Sequence, residues 1–207
     1  MERKAVITGD IVNFTSLKPE RREALVKDSK EMLHSLSPEQ GHAAFFRGDS
    51  FQLLTADIGE ALLKSIIIRC WFKKAEGAKQ RSLLDAKVAI GFGGISYFGD
   101  SVLDADGEAF HLSGRTFDKM EDARLRIVVP DEGVNRQLTV IADLMDVIIS
   151  GWTKSQAEVI YLLLENKTQQ QMAAELGIAQ SAVNNRIKLS NWKEIERTVN
   201  YISSIIK

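Results

Sequence analysis

Ala43-Ala44-Phe45-Phe46-Arg47-Gly48-Asp49-Ser50-Phe51-Gln52-Leu53-Leu54-Thr55 is the stretch on which the fold turns. Two apolar runs, Ala43 to Phe46 and Phe51 to Thr55, flank a four-residue polar tip in which Gly48 allows the left-handed conformation of a tight reversal. The segment therefore reads as a β-hairpin with Asp49 at its apex. Upstream, Lys4 to Asp10 is a β-branched run closed by a turn signal, and residues 19–36 place Leu25, Met32, Leu33 and Leu36 at helical spacing behind Pro19. Downstream, residues 57–75 read as helix and Ala86 to Ile95 as a strand that needs close backbone packing at Gly91, Gly93 and Gly94. Residues 107–121 then read as helix, and Leu125 to Val129 as a strand ended by Pro130. The order βαββαβ, followed by one more helix, predicts an α+β, ferredoxin-like sandwich.

From Trp152 onward the pattern changes to closely spaced helices with no strand. Thr153-Lys154-Ser155-Gln156 and Thr168-Gln169-Gln170-Gln171 each fit a capping box, in which threonine and glutamine side chains satisfy each other's orphan amides, so helices start near 154 and 169. Gly177-Ile178-Ala179-Gln180-Ser181 supplies the glycine turn of a helix-turn-helix, and Ala173, Leu176, Ile178, Val183 and Ile187 are spaced to pack its two helices. A boundary near Ser150-Gly151 divides residues 1–149 from a small all-α unit, 150–207. Asn166 to Ser190 resembles the helix-turn-helix of sigma-factor region 4 and related bacterial regulators, with Ala179 where such motifs usually carry a Ser or Thr N-cap. Glutamine and asparagine suit bidentate contacts to adenine, and lysine suits guanine or phosphate. Gln180, Ser181, Asn184, Asn185 and Lys188 are accordingly the candidate contacts to double-stranded DNA. A three-helix bundle with a merely solvated polar face is the alternative. The last helix, with Trp192, Ile195, Val199, Ile202, Ile205 and Ile206 on one stripe, reads as core or as a dimer seam.

Composition narrows the class. The 207 residues are 44% hydrophobic and 27% charged, so the chain can bury a core and is not disordered. Its apolar runs are interrupted by Arg69, Asp143 and Asp146 and fall short of a membrane span. Met1-Glu2-Arg3-Lys4 leads straight into a strand-like run, so a cytoplasmic location is expected. Cys70 is alone, which excludes an intrachain disulfide and a multi-cysteine zinc site, and its apolar surroundings mark it as a core thiol. Three histidines without helical pair spacing leave carboxylates as the candidate metal ligands. Residues 150–207 hold seven Lys/Arg against five Asp/Glu, and the whole chain has a net charge of -1. DNA affinity must then come from local geometry or from pairing of chains.

Asp10 follows the first strand and Asp49 tops the hairpin; if those strands are neighbours, the two carboxylates repel unless a divalent cation with a taste for oxygen lies between them. No P-loop or Rossmann glycine pattern occurs. Thr8-Gly9-Asp10-Ile11-Val12-Asn13-Phe14-Thr15 resembles the first metal motif of class III nucleotidyl cyclases, and Arg47-Gly48-Asp49-Ser50-Phe51 their second. Lys87 to Gly94 is similar to the family's glycine-rich strand, and Asp104 to Arg115 keeps its third motif in order and spacing. The resemblance implies that Asp10 and Asp49 hold Mg²⁺ or Mn²⁺, with the Ile11 carbonyl as a further ligand. It implies that amides of Val12, Asn13, Phe14 and Thr15 cradle the phosphates of a purine nucleoside triphosphate, that Asp104 reads the base and that Arg115 offsets transition-state charge. His111 takes the place of the family's catalytic asparagine, and Phe45 that of a base-contacting lysine.

The combination of short cyclase-like body and C-terminal helix-turn-helix also looks like the SatD family of small bacterial proteins, over most of the chain. Together these resemblances imply a nucleotide-responsive DNA-binding transcription regulator, or alternatively an active purine nucleotidyl cyclase regulated or recruited by its helical module. A fold retained only as an oligomerisation scaffold is the third possibility. Because the cyclase resemblance divides each site between two chains, it implies a homodimer, whose symmetry would also pair the recognition helices.

Overall fold

The computed structural model describes residues 2–75 and 84–206. A long first strand, β1 (Arg3–Val12), runs through the middle of a curled sheet, because its alternating side chains are apolar on both sides. Helix α1 (Pro19–Leu36), opened by its N-terminal proline, returns the chain to the hairpin β2 (Ala43–Phe46) and β3 (Ser50–Thr55). Arg47 and Gly48, with φ of 51° and 87°, make the turn. Helix α2 (Ile58–Lys74), capped by Asp57, leads back to β4 (Asp85–Tyr97). The strands lie in the order β2-β3-β1-β4, each antiparallel to the next, which is the interlocked arrangement that βαββαβ order requires. A two-residue strand, β5 (Asp106–Gly107), pairs with the far end of β4, and helix α3 (Glu108–Lys119) follows it. Strand β6 (Leu125–Val128) adds in parallel beside β4, and helix α4 (Glu132–Ser150) packs against it.

Strand alternation sorts the core into two layers. Ala5, Ile7 and Ile11 of β1, with Phe51, Leu53, Val88 and Ile90, join the main core beneath α1, α2 and α4. Val6 and Leu54 point the other way, into a small cluster with Val102, Ala109 and Phe110 under α3. The glycines of β4 let α3 come close: a Cβ at Gly91 would run into the Ala109 and Ser113 backbone, and one at Gly93 into Glu108. Cys70 is fully buried, and burial pushes its thiol up.

Helices α5 (Lys154–Leu164), α6 (Gln169–Leu176), α7 (Gln180–Leu189) and α8 (Trp192–Ile205) complete the fold. Both capping boxes form, and Gly177 turns left-handed at φ 63°. Ala179 caps α7 with no side-chain bond. Asn191, also left-handed at φ 52°, separates α7 from α8. α5 packs on α2, and α8 on α2 and α4, so the hydrophobic core continues from the sheet into the helical unit. Among the described residues, no helix is long and apolar enough to cross a membrane.

A buried charge network ties these parts together. Asp85, with no exposed surface, accepts two bonds of 3.0 Å from Arg69 Nε and Nη2, lies 3.3 Å from Lys73 Nζ and accepts from Arg124 at 3.0 Å. Arg69 also donates to Asp146 and to Ser150 Oγ at 2.8 Å. Lys73 donates to the Ser150 carbonyl at 3.0 Å. Burial opposes ionisation of Asp85, but the Arg69 charge and hydrogen bonds, with help from Lys73 and the Ala86 amide, outweigh it and hold the carboxyl below its ordinary range.

Removing one partner leaves the others buried and uncompensated, so Arg69→Met should lower unfolding free energy in urea by about 3–5 kcal/mol. Because folding depresses the Asp85 pKa, the stability it confers is complete above the unfolded value near 4 and is lost as pH falls through the folded value. The urea midpoint should therefore fall on acidification, and Asp85→Asn, weaker at neutral pH, should flatten that dependence.

Candidate functional site

β1 ends where the site begins. Asp10 stands in register with Ser50 on β3 and with Lys87 on β4, and the Ile11 amide donates to the Asp49 carbonyl at 3.3 Å, folding the hairpin tip against the strand end. Asp10 and Asp49 are thus brought together, both half-buried. Burial pushes the Asp10 carboxyl above its ordinary value, the nearby Asp49 charge adds to the rise and Lys87 partly offsets it. Asp10 shares its sheet face with Thr8, whose hydroxyl donates to Ser113 Oγ at 3.0 Å and accepts from Gln52 Nε2 at 3.1 Å. Lys87 Nζ donates to the Met120 carbonyl, which ties the end of α3 to the same corner.

The loop after β1 is a short 3₁₀ turn, Phe14–Ser16, entered through Asn13 at φ 65°. The turn's own bonds use the Ser16 and Leu17 amides, which donate to the Asn13 and Phe14 carbonyls at 3.1 Å. Arg22, on the first turn of α1, donates to the Thr15 and Leu17 carbonyls and lies 5.8 Å from the Phe14 ring. Val12 stays in the strand, in register with Asp85. Arg22 and Lys87 are therefore cations at the site that sequence reading did not single out. For Lys87 the register opposite Asp10 is the signal; for Arg22 it is a place one turn into the helix that follows the loop.

The third motif touches the first through Ser113, which accepts from Thr8, while its named polar residues point elsewhere. Asp104, itself exposed, ends a 3₁₀ turn, Val102–Asp104, whose first residue is buried. His111 Nε2 lies 2.9 Å from Asp106 Oδ1, with both side chains more than half exposed. Arg115 is exposed on α3. Among the described residues no hydrogen bond or ion pair joins these three to Asp10 or Asp49. Phe45 faces the main core, 5.8 Å from the Phe51 ring.

No cluster of three or more His, Cys, Asp or Glu residues suited to a metal ion occurs among the described residues. A Mg²⁺ or Mn²⁺ site built on one or two carboxylates, with remaining positions filled by water and ligand phosphates, needs no more than Asp10, Asp49 and a peptide carbonyl such as that of Ile11. The raised Asp10 carboxyl fits this donor set, since a cation between the two carboxylates would relieve the repulsion that helps raise it.

At the other end of the chain, Gln180, Ser181, Asn184, Asn185 and Lys188 are all exposed and follow one another along a single stripe of α7. Val183 on the opposite side is fully buried, with Ile187 half-buried beside it in the main core. Arg186 is turned aside toward Glu158, at 3.9 Å.

No protein-family model and no curated protein sequence matches the chain. Among solved structures it is similar to the active GGEEF domain of a diguanylate cyclase from Vibrio cholerae, at 12% identity over 63% of this chain and 85% of that chain, with a TM-score of 0.45.

A raised carboxylate pKa means that folding favours the protonated form, so the Asp10–Asp49 pair costs stability above the folded pKa and costs none below the ordinary value. Asp10→Asn should therefore raise the melting temperature at pH 7 and lose that advantage near pH 3. Mn²⁺ should raise the melting temperature of the native chain in proportion to the logarithm of its concentration, and leave Asp10→Asn unchanged.

Proposed function

We propose that this chain is a nucleotide-responsive DNA-binding regulator in which a divergent class III cyclase-like, ferredoxin-like domain governs a helix-turn-helix. The observation that carries the reading is the uninterrupted exposed stripe Gln180, Ser181, Asn184, Asn185 and Lys188 on α7, held behind a left-handed glycine turn. Small polar side chains at that stripe suit base edges, with Lys188 suited to phosphate. The regulating ligand is a purine nucleoside triphosphate: Asp10 and Asp49 would hold its divalent cation, which neutralises phosphate charge, and the end of β1 at Val12 with the loop from Asn13 to Thr15 would face the phosphates. Arg22 adds positive charge beside that loop.

Regulation requires a nucleotide to bind two states of the protein unequally. A contiguous set of contacts supports such linkage. Val12 pairs with Asp85, Asp85 is bonded to Arg69 and Lys73, and these reach Ser150 at the start of the helical unit. Trp152 Nε1, two residues on, donates to the Ser190 carbonyl at 2.8 Å, at the end of the recognition helix.

The paired carboxylates favour a second reading, an active nucleotidyl cyclase. In it Asp104 would read the base, Arg115 would offset charge on the phosphorus centre and His111 would stand in for the family's asparagine. Since no hydrogen bond or ion pair joins these groups to Asp10 within one chain, a second copy would lend them for turnover, as the cyclase resemblance implies. Mixing Asp10→Ala with Arg115→Ala chains would then restore cyclic product that neither yields alone, and no product from any nucleoside triphosphate with Mg²⁺ or Mn²⁺ removes this reading.

For the leading reading, fluorescence anisotropy against genomic fragments should show sequence preference at moderate salt, shifted by ATP or GTP with Mg²⁺. Asn184→Ala or Asn185→Ala should cost about 1–3 kcal/mol on the preferred sequence and relax the preference, whereas Lys188→Ala should weaken all sequences and reduce the salt slope by about 1. Asp49→Asn should keep DNA binding and abolish the nucleotide effect. Absence of any sequence preference would sink the reading.

A further inference from the structure

α4 is apolar on two sides, where a surface helix needs one. Leu138, Ala142, Met145 and Ile149 face inward and are buried. Away from them, Val140, Leu144 and Val147 stand 59%, 62% and 74% exposed. Their four-then-three spacing is that of a coiled-coil seam, with Ile141 and Ile148 half-buried along its edge. The apolar surface continues across a groove of about 500 Å³, floored by Met145, Ile148 and Ile195, onto Tyr201 of α8. Tyr201 is 50% exposed, and Ile205, one turn further, 38%.

These five side chains offer on the order of 500 Å² of exposed surface before their neighbours are counted, the size at which an apolar patch on a monomer is often functional, and most of the roughly 800 Å² per partner in a stable interface. Charge at the rim says what fits. Glu194 and Arg197 border the groove three residues apart on α8, and neither has an ion-pair partner among the described residues. An acidic or a basic partner would set a like charge against one of them. A surface carrying both signs is matched by its own image turned through a two-fold axis, where each residue meets its opposite.

We propose that a second copy of this chain docks on the α4–α8 surface in an isologous pair, seam against seam, with Glu194 of each chain facing Arg197 of the other. The proposal does not rest on the nucleotide or DNA readings. It also differs from the shared-site contact that the cyclase resemblance implies, because α4 covers the main core on one side of the sheet and α3, with Arg115, lies on the other.

Sedimentation equilibrium at micromolar concentration tests it. The native chain should sediment at twice its 23.1 kDa mass. Leu144→Glu and Val147→Glu, both at exposed positions, should each raise the dissociation constant by about 30-fold or more while the far-UV spectrum of the folded chain stays unchanged. Leu103→Glu, at an exposed apolar position near α3, should leave the pair intact. Arg197→Glu should weaken the pair, and adding Glu194→Arg should restore it. A native chain that stays monomeric, a pair that survives both α4 substitutions, or one lost to Leu103→Glu instead would overturn the proposal.

Discussion

Asp85 begins β4 with no contact to water, and three cations converge on it from α2 and from the approach to β6. A carboxylate cannot be stripped of water on such terms unless every partner is in place, so the geometry of each contributing element is fixed by the others. Arg69 extends the arrangement through Asp146 into α4 and through Ser150 into the connection to α5, and Lys73 holds the carbonyl of that same connection. Replacing such a cluster with apolar side chains would often be neutral or even stabilising. Its effect here is one of direction: it sets where the chain leaves the sheet and enters the helical unit.

The elements that the sequence declares are those with local causes. Pro19 starts α1, Gly48 turns the hairpin, two threonine–glutamine boxes start α5 and α6, and Gly177 ends α6, each through chemistry contained within a few residues. The Asp10–Asp49 pair is legible for a similar reason, because Asp49 sits in the hairpin turn and Asp10 near the end of β1, the strand that pairs with that hairpin, although Asp10 lies within the strand where the sequence pattern places it just after. What pattern reading does not supply depends on distant partners. Arg69 interrupts an apolar run as if to point outward, yet its ligands lie 16 and 77 residues away. The second apolar stripe of α4 is hidden in a run that looks uniformly hydrophobic, and only packing shows which side is used. Asn191 gives no more than a weak cue to the left-handed break between α7 and α8.

The sheet's two faces carry different duties. One is filled by large aliphatic and aromatic side chains that join the helical unit to the strands. The other has a smaller apolar cluster, and beyond it the polar corner of Thr8, Gln52, Asp10 and Lys87, where α3 lies close because Gly91 and Gly93 carry no side chain. Stability is concentrated on the first face, which leaves the second free to hold carboxylates in a mutually unfavourable arrangement.

The strands at the borders of the sheet are short: β2 and β6 have four residues each and β5, which shares the β4 edge with β6, has two. A short border offers few unpaired amides and carbonyls as a template, and this is one of the ways natural β proteins avoid open-ended strand addition. Crowded copies of this chain are thereby guarded against fibril growth at the backbone, and the places where they can recognise one another are confined to side-chain surfaces, which selection can tune one residue at a time.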